Sequence, residues 1–319
     1  MIEVKNLTKC YGNHLAVDHL NFTVESGKIY GFLGPNGAGK STTMNIMTGY
    51  LGATEGQVLI DGHDILKEPE EAKKNIGYLP EIPPLYMEMT VREYLEFAAE
   101  LKGIKKDKRE SQIEEVIRLA KLRDVENRLI QNLSKGYKQR VGLAQAVLGF
   151  PEIIILDEPT VGLDPKQIIE IRELIRKLAK KHTVILSSHI LAEVREVCDY
   201  IMIISGGKLV ASDTTENLEN MMSGKGQIEV EAKTSMDEMD HIIRRTGKIK
   251  EVKYRTSASG ITTAQITAKG GEDIREELFF VFSHADVPML TLNQSKTTLE
   301  EIFLELTQGS GNRMIKEEK

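Results

Sequence analysis

The chain opens with short segments in which apolar and polar residues alternate. Residues 2–4 (Ile-Glu-Val) and 20–24 (Leu-Asn-Phe-Thr-Val) follow this period of two, which is typical of half-buried strands. Four later segments are almost wholly apolar, as strands covered on both faces of a parallel sheet are. These segments comprise residues 29–33, 153–156, 184–186 and 200–204. The pattern predicts a small antiparallel sheet near the start of the chain and a buried parallel sheet.

Helices are predicted between the buried strands. One helical face is marked by the apolar residues Ile168, Ile171, Ile175 and Leu178. The segment from about residue 90 to 149 has helical periodicity and no β-rich run, so it is predicted to be a helical subdomain. Buried strands that alternate with amphipathic helices indicate a layered α/β domain, which we expect to cover residues 1–220.

A different pattern follows residues 222–226. Four segments have the character of strands, namely 228–231, 249–254, 261–267 and 289–292. Helical segments at 236–245 and 272–284 separate them in the order βαββαβ, which is that of a ferredoxin-like α+β fold. We therefore expect a small accessory domain over residues 226–308, with a last helix at 299–306. A polar tail over residues 309–319 follows it.

The composition is that of an ordinary globular protein. Charged residues make up 28% of the 319 positions and apolar residues 40%, and the net charge of −6 weighs against a nucleic-acid binder. Cys10 and Cys198 are interpreted as reduced packing residues of a cytosolic protein. No apolar run approaches the ~20 residues that a membrane span needs, so any work at a membrane would require another chain to cross it. The lysine-rich segment 102–109 is either a solvated loop or a patch that faces a partner.

A glycine-rich segment follows the apolar run 29–33. It is Gly-Pro-Asn-Gly-Ala-Gly-Lys-Ser over residues 34–41 and matches the phosphate-loop pattern. Such glycines let the backbone turn its N–H groups toward a phosphate, and the following helix adds the positive end of its dipole. Lys40 is expected to reach the β- and γ-phosphates of ATP, and Ser41 to bind Mg²⁺. The nucleotide-binding residues predicted in this loop are Gly34, Pro35, Asn36, Gly37, Ala38, Gly39, Lys40, Ser41 and Thr42.

Two neighbouring carboxylates, Asp157 and Glu158, follow the apolar run 153–156. A carboxylate at the end of a buried strand can face Mg²⁺ or one of its waters, and we predict this role for Asp157. Glu158 is then free to accept a proton from the attacking water as a general base. Two acids at a strand end can simply be solvated, but the phosphate loop upstream favours ATP hydrolysis.

Five further segments complete an order that is restricted to one family. They are Tyr11, Glu81 after Gly-Tyr-Leu-Pro, Leu-Ser-Lys-Gly-Tyr-Lys-Gln-Arg at 133–140, Gly-Leu-Asp at 162–164, and His189 after two serines. Over roughly residues 1–220 the chain resembles the ATPase subunit of an ATP-binding cassette (ABC) transporter. The resemblance implies a P-loop NTPase core with an antiparallel β subdomain and a helical insertion. The whole chain resembles a bacterial exporter subfamily that includes multidrug-type and gliding-motility-type ATPases.

The resemblance also implies roles for these residues. Tyr11 would stack on adenine, and His189 would hydrogen-bond the γ-phosphate and hold the catalytic geometry. Ser134 and Gly136 would bind the γ-phosphate of a nucleotide held by a second subunit, and Asp164 would lie at the interface between the subunits. From the residues alone, Tyr11 can equally be a surface turn residue and Asp164 a helix cap.

Three residues depart from the pattern of that family. Its usual signature is Leu-Ser-Gly-Gly-Gln, whereas this chain has Lys135 at a variable position and Tyr137 in place of the glutamine. Glu81 stands where the family usually has glutamine. A carboxylate can bind Mg²⁺ or accept from a water, but it cannot donate a hydrogen bond as an amide does. Our hypothesis is that Glu81 keeps a role in metal sensing and in coupling to a permease.

The partners implied by the resemblance are ATP, Mg²⁺, a second copy in an ATP-dependent homodimer, and a separate transmembrane permease. That permease would hold the protein on the inner face of the cell membrane, and no nucleic acid is expected. The alternative is a non-transport ABC ATPase that acts on nucleic acid, the ribosome or a soluble assembly partner. Cassette proteins bound to nucleic acid or ribosomes carry two cassettes or a long coiled-coil insertion. This chain has one cassette and no long heptad run, which favours transport.

Overall fold

A computed structural model describes residues 1–218, 227–257 and 260–295, together with residues 303, 304 and 307. The chain forms two units, Met1–Thr215 and Glu216–Glu305. The expected boundary at 222–226, most of the expected last helix and the expected tail lie outside the described residues. In the part of the chain that is described, no helix is both long enough and apolar enough to cross a membrane.

The first unit contains two sheets. Its strands, in chain order, are β1 (Ile2–Tyr11), β2 (His14–Val24), β3 (Ile29–Leu33), β4 (Glu55–Ile60), β5 (His63–Asp64), β6 (Ile76–Leu79), β7 (Ile153–Leu156), β8 (Thr183–Ser188), β9 (Tyr200–Ser205) and β10 (Lys208–Thr214). The antiparallel sheet has the order β2-β1-β4-β5, and the mixed sheet has the order β10-β9-β3-β8-β7-β6. Strands β9, β3, β8, β7 and β6 are parallel to one another, and β10 pairs antiparallel with β9.

Helices connect these strands, as the alternating pattern predicts. They are α1 (Lys40–Met47), α2 (Pro69–Lys74), α3 (Val91–Leu101), α4 (Lys106–Leu119), α5 (Lys135–Val147), α6 (Pro165–Leu178) and α7 (Leu191–Val197), with a 3₁₀ turn at Ile130–Asn132. Helices α3 to α5 form the helical insertion that the sequence predicts. The first of them begins with a capping box, in which Thr90 and Glu93 satisfy each other's backbone N–H groups.

The apolar runs in the sequence become the centre of the mixed sheet. Every residue of β3, β7 and β8 is buried, which confirms the expectation of strands covered on both faces. One apolar core, which includes Val4 of β1, Phe32 of β3 and Met44 of α1, joins the antiparallel sheet to the mixed sheet. Because parallel strands end at the same edge of a sheet, the residues that follow β3, β7 and β8 are brought together.

The lysine-rich segment 102–109 is neither a loop throughout nor simply solvated. Helix α4 begins within it, at Lys106. The ammonium group of Lys102 donates to the carbonyl oxygens of Gln145 and Leu148, at 2.8 and 2.7 Å, near the end of α5. A cation at this position satisfies carbonyl groups that the helix end leaves without partners. Lys102 therefore ties α3 to α5 within the helical insertion.

The second unit has the predicted βαββαβ order. Its elements are β11 (Gln227–Ala232), α8 (Met236–Arg244), β12 (Ile249–Thr256), β13 (Thr262–Ala268), α9 (Arg275–His284) and β14 (Met289–Ser295), with a 3₁₀ turn at Lys269–Gly271. The sheet is antiparallel with the order β12-β13-β11-β14. Helix α9 begins at Arg275 rather than at the predicted residue 272, because the backbone at Glu272 is still extended after the turn.

Apolar side chains from both helices and the sheet fill the core of the second unit. Alternate residues of β13 are buried, as one covered face of an antiparallel sheet requires. Met239, Ile242 and Ile243 of α8 belong to this core, whereas Met236, an apolar residue at the start of the same helix, is exposed. Phe282 of α9 is fully buried in it.

Candidate nucleotide site

The phosphate loop connects β3 to the first turn of α1. Gly39 caps this helix with φ of 102°, in the left-handed region that favours glycine. A Cβ atom at Gly39 would also lie 2.5 Å from the carbonyl oxygen of Ala16, so a side chain there would collide with backbone. The loop therefore leads directly into a helix N-terminus, whose free N–H groups and positive dipole end favour an anion.

An open cleft of about 380 Å³ lies over this loop. Most of the predicted nucleotide residues line it, together with three residues that the sequence motifs do not include. Its lining comprises Tyr11, His14, Ala16, Asn36, Gly37, Gly39, Lys40, Ser41, Thr42, Glu81, Glu158, Val161 and His189. The missed residues are His14, Ala16 and Val161, which carry no motif and reach the cleft only through the packing of β2 and of the turn after Glu158. Gly34, Pro35 and Ala38 belong to the same loop without lining the cleft.

Lys40 holds a buried positive charge at the floor of the cleft. Its ammonium nitrogen lies 2.8 Å from the carbonyl oxygen of Gly34 and 3.3 Å from that of Pro35. It also lies 3.4 Å from Oε1 of Glu158, and both side chains are less than a tenth exposed. A buried charge is tolerated when it is paired and hydrogen-bonded, and these contacts provide that for Lys40.

Asp157 follows β7 and faces α1. Ser41 Oγ donates to Asp157 Oδ1 at 3.2 Å, and Ser187 Oγ at the end of β8 donates to the same oxygen at 2.5 Å. A hydroxyl and a carboxylate are hard oxygen ligands, and Mg²⁺ in phosphate sites typically takes only one or two protein ligands. The donor set of Ser41 and Asp157 therefore fits Mg²⁺ beside phosphate oxygens. Tyr78 lies nearby, and burial followed by the charge of Asp157 raises the pKa of its phenol.

Glu158 adopts an unusual backbone conformation for a residue with a side chain. Its φ is 48°, and its backbone N–H donates to Ser187 Oγ at 2.9 Å. Its Oε2 lies 3.0 Å from Nδ1 of His189, which follows β8. A strained backbone that is held by neighbouring groups is typical of functional sites. The turn directs the Glu158 carboxylate into the cleft, where it can act as a general base.

Ser187 is a functional candidate that no motif in the sequence marks. Its hydroxyl donates to Asp157 and accepts from the backbone of Glu158, so one side chain fixes both carboxylate residues. The available signal was positional, since Ser187 lies near the carboxyl end of a buried strand. Recognising it required knowledge that β8 is the neighbour of β7 in the sheet.

In the described part of the chain, the nucleotide cleft is not lined by Ser134, Gly136 or Asp164. Ser134 caps α5, because its Oγ accepts from the backbone N–H of Tyr137 at 3.4 Å. Asp164 caps α6, because its Oδ1 accepts from the backbone N–H of Gln167 at 2.9 Å. A Cβ at Gly136 would lie 2.5 Å from the side-chain amide of Gln167, so these two helix starts lie against each other.

Two of the residues that depart from the family pattern, Lys135 and Tyr137, contact other parts of the same chain. A Cβ at Gly162 would lie 2.2 Å from the ammonium nitrogen of Lys135, so the Lys135 side chain lies against the turn that precedes α6. Tyr137 donates its hydroxyl to Asp124 at 2.5 Å, and the Arg140 guanidinium lies 5.5 Å from the ring centroid. The hydrogen bond to Asp124 is the main cause of a raised pKa for the Tyr137 phenol, followed by burial.

Glu81 occupies a junction between three cavities. It lines the nucleotide cleft, a groove of about 840 Å³ and a smaller cavity of about 230 Å³. Asp157 and the strongly exposed Tyr50 and Ile82 also line the groove. Lys135 lines the smaller cavity. Glu81 therefore lies where the nucleotide cleft meets two neighbouring surfaces.

Comparisons with known proteins agree with this geometry. The family model described as ABC transporter matches residues 17–161. The bacitracin transport ATP-binding protein BcrA of Bacillus licheniformis is 36% identical over 319 residues, which cover 97% of this chain and 98% of that protein. The linearmycin resistance ATP-binding protein LnrL of Bacillus subtilis is 31% identical over 308 residues, which cover 96% of this chain and 98% of that protein.

Solved structures resemble the first unit. The ATP-binding subunit of an ABC transporter aligns with a TM-score of 0.64 and 32% identity, over 70% of this chain and 93% of that one. A dimeric ATP-binding cassette in a post-hydrolysis state, bound to ADP and Pi, aligns with a TM-score of 0.62 and 29% identity, over 67% of this chain and 98% of that one. These similarities confirm the predicted α/β cassette fold.

Proposed function

The chain belongs to the ABC transporter family as an ATP-binding and ATP-hydrolysing subunit, and we propose that it powers a separate membrane permease as a homodimer. The observation that carries the proposal is the convergence of Lys40, Ser41 and Glu158 in one cleft at the carboxyl ends of parallel strands. Asp157 lies directly behind it, hydrogen-bonded to Ser41. The named relatives are transport and resistance proteins, which supports export as the direction of transport.

In the proposed reaction, the loop and Lys40 hold the β- and γ-phosphates while Tyr11 stacks on the adenine. Mg²⁺, held by Ser41 and Asp157, would neutralise charge that develops on the phosphate oxygens. Glu158 accepts a proton from water as the water oxygen attacks the γ-phosphorus. The bond from that phosphorus to the bridging oxygen breaks, which yields ADP and inorganic phosphate.

His189 has a defined part in this scheme. Its Nδ1 is within hydrogen-bond distance of the Glu158 carboxylate, so it can hold that group in position, and it also faces the cleft. Positioned groups of this kind supply most of the catalysis in phosphoryl transfer.

The second copy would complete the site. Ser134 and Asp164 are exposed at two adjacent helix N-termini and do not line the described cleft of their own chain. Such helix starts bind anions, which supports a role for Ser134 and Gly136 toward the γ-phosphate held by the partner. Closure of the dimer on ATP and its separation after cleavage would then supply the mechanical step.

The permease would dock on the groove that Tyr50 and Ile82 line. These side chains are 84% and 83% exposed, which is unusual for large apolar residues and typical of an interaction surface. Glu81 lines both this groove and the nucleotide cleft, which supports its proposed role in coupling the two. This arrangement would hold the protein on the inner face of the cell membrane.

The decisive experiment uses Glu158→Gln. We expect this variant to bind Mg·ATP and to accumulate as a dimer in gel filtration, because the amide cannot accept the proton from water. Its hydrolysis rate should fall by about 10²- to 10⁴-fold. Glu152→Gln is the matched control. Glu152 is exposed just before β7, and its substitution removes the same negative charge. The control should hydrolyse ATP and behave as the unmodified protein does.

Two results would contradict the proposal. One is an elution profile in which Glu158→Gln stays monomeric at saturating Mg·ATP. The other is retention of DNA or RNA in a filter-binding assay at physiological salt, which would favour a non-transport cassette protein.

A further inference from the structure

We propose that Glu193 is a positioning residue that keeps the general base Glu158 and His189 within hydrogen-bond distance of each other. The inference rests on the proposed function, because it assigns a role in the hydrolysis step. Glu193 lies on α7, outside the nucleotide cleft, and its side chain is buried. It carries no phosphate-loop or strand-end motif, and the mechanism above does not use it.

One carboxylate oxygen of Glu193 accepts hydrogen bonds from two loops, the turn that follows Glu158 and the turn that contains His189. Its Oε2 accepts from the hydroxyl of Thr160 at 2.6 Å, in the turn that follows Glu158. The same Oε2 accepts from the hydroxyl of Ser188 at 3.0 Å, directly before His189. All three side chains are buried, so water does not compete for these bonds.

Each hydroxyl belongs to a turn that is closed by a hydrogen bond. Ser188 Oγ accepts from the backbone N–H of Ile190 at 3.0 Å, so it closes the turn around His189. On the other side, the turn of Thr160 is closed by Val161, whose backbone N–H donates to the Glu158 carbonyl at 3.2 Å. Glu193 therefore bridges two loops whose functional side chains meet at 3.0 Å.

The position of Glu193 depends on a close approach between α7 and the sheet. A Cβ at Gly31 of β3 would lie 2.3 Å from Val194 Cγ1 and 2.8 Å from Cys198 Sγ. Glycine in this strand therefore lets α7 pack directly on the backbone of β3. That packing places Glu193, which precedes Val194, between the two loops and keeps it there.

The bridge can affect the rate without changing the affinity for ATP. Neither hydrogen bond of Glu193 involves a residue of the phosphate loop, and Lys40 keeps its contacts with the carbonyl oxygens of Gly34 and Pro35. The Glu158 carboxylate must lie within hydrogen-bond distance of the attacking water, and a displacement of about 1 Å can reduce a rate about 10²-fold. We therefore expect loss of the bridge to lower kcat while KM is nearly unchanged.

The test compares Glu193→Ala with Glu193→Gln in the full chain. We expect Glu193→Ala to lower kcat for Mg·ATP by about 10- to 100-fold, with KM within about threefold. Glu193→Gln should restore most of kcat, because its carbonyl oxygen can still accept from both hydroxyls. Glu196→Gln is the control, since Glu196 lies on the same helix with a half-exposed side chain paired with Arg172. That control should retain the unmodified rate.

A second pair of variants covers the case in which Glu193→Ala does not fold. Thr160→Val and Ser188→Ala each remove one donor, and their combination should lower kcat to the level expected of Glu193→Ala. A kcat within twofold of the unmodified protein in Glu193→Ala, or in the combined variant, would overturn the proposal. So would a rise in KM as large as the fall in kcat, because that indicates a general loss of the site.

A measurement that needs no turnover separates this inference from the proposed function. In protein labelled at histidine, the NMR signals of His189, assigned with His189→Gln, report its hydrogen bond to Glu158. We expect these signals to move in Glu193→Ala and to stay in place in Glu193→Gln and Glu196→Gln. Unmoved His189 signals in Glu193→Ala would reject the bridge. Unmodified protein that does not hydrolyse ATP would reject the proposed function alone.

Discussion

The two units of this protein differ in where they bury polar groups. In the first unit, buried Lys40, Asp157, Glu158 and Glu193 gather at one edge of the mixed sheet with their hydroxyl partners. In the described part of the second unit, Thr262 is the only polar residue that is buried to the same degree. Burying a polar or charged group is unfavourable unless the group is paired. A cluster of such groups therefore indicates a functional site.

The first unit therefore carries the candidate catalytic groups, whereas the described part of the second unit is mainly an apolar core with few buried polar side chains. The second unit has a continuous apolar core and a ferredoxin-like order of elements, but this scaffold hosts many functions. We propose an accessory role for it, as a regulatory module or a support for the dimer. The comparison leads to three predictions, beginning with the largest expected effect.

Loss of Lys40 should abolish function with little loss of fold. We expect Lys40→Ala to lower ATP hydrolysis by at least about 100-fold, because no other buried cation contacts the described phosphate loop. Phosphate release by the purified protein measures this. The control is Lys28→Ala, which removes a partly exposed lysine paired with Glu25 just before β3. Equal rates of ATP hydrolysis in both variants would contradict a role for Lys40 in the reaction.

Loss of Phe282 should affect stability without affecting chemistry. Its ring is fully buried in the core of the second unit, so Phe282→Ala should lower the free energy of unfolding of that unit by about 3–5 kcal/mol. Phe280→Ala is the matched control, because Phe280 lies on the same helix and is 51% exposed. Calorimetry measures the stability, and turnover per folded molecule should be unchanged. A parallel fall in turnover would show that the second unit supports the site.

Tyr11 should show the smallest effect, since it is 49% exposed at the rim of the cleft. Stacking of a base on an aromatic ring contributes about 1–3 kcal/mol, so Tyr11→Ala should weaken ATP binding by roughly tenfold. Tyr11→Phe should bind as the unmodified protein does, because it keeps the ring. Titration with a fluorescent ATP analogue measures both. Equal affinities for all three proteins would mean that Tyr11 is a surface turn residue.

Much of the fold could be predicted because its signals are local in the chain. The apolar runs of β3, β7 and β8 and the helical periodicity of α6 arise from neighbouring residues, and the structure agrees with them. The segment 102–109 was less predictable. Lys102 finds its carbonyl partners at the end of α5, more than forty residues along the chain.

The same division applies to the site. The phosphate loop and the adjacent Asp157 and Glu158 are contiguous motifs, so the sequence by itself identified them as candidates. Only the tertiary structure showed that Ser187 joins those carboxylates and that Glu193 joins their turn to His189. The contact of Ser187 with Asp157 and that of Glu193 with Thr160 connect residues 30 and 33 positions apart. They depend on the order of strands in the sheet and on how closely α7 approaches β3, neither of which leaves a periodic signal in the sequence.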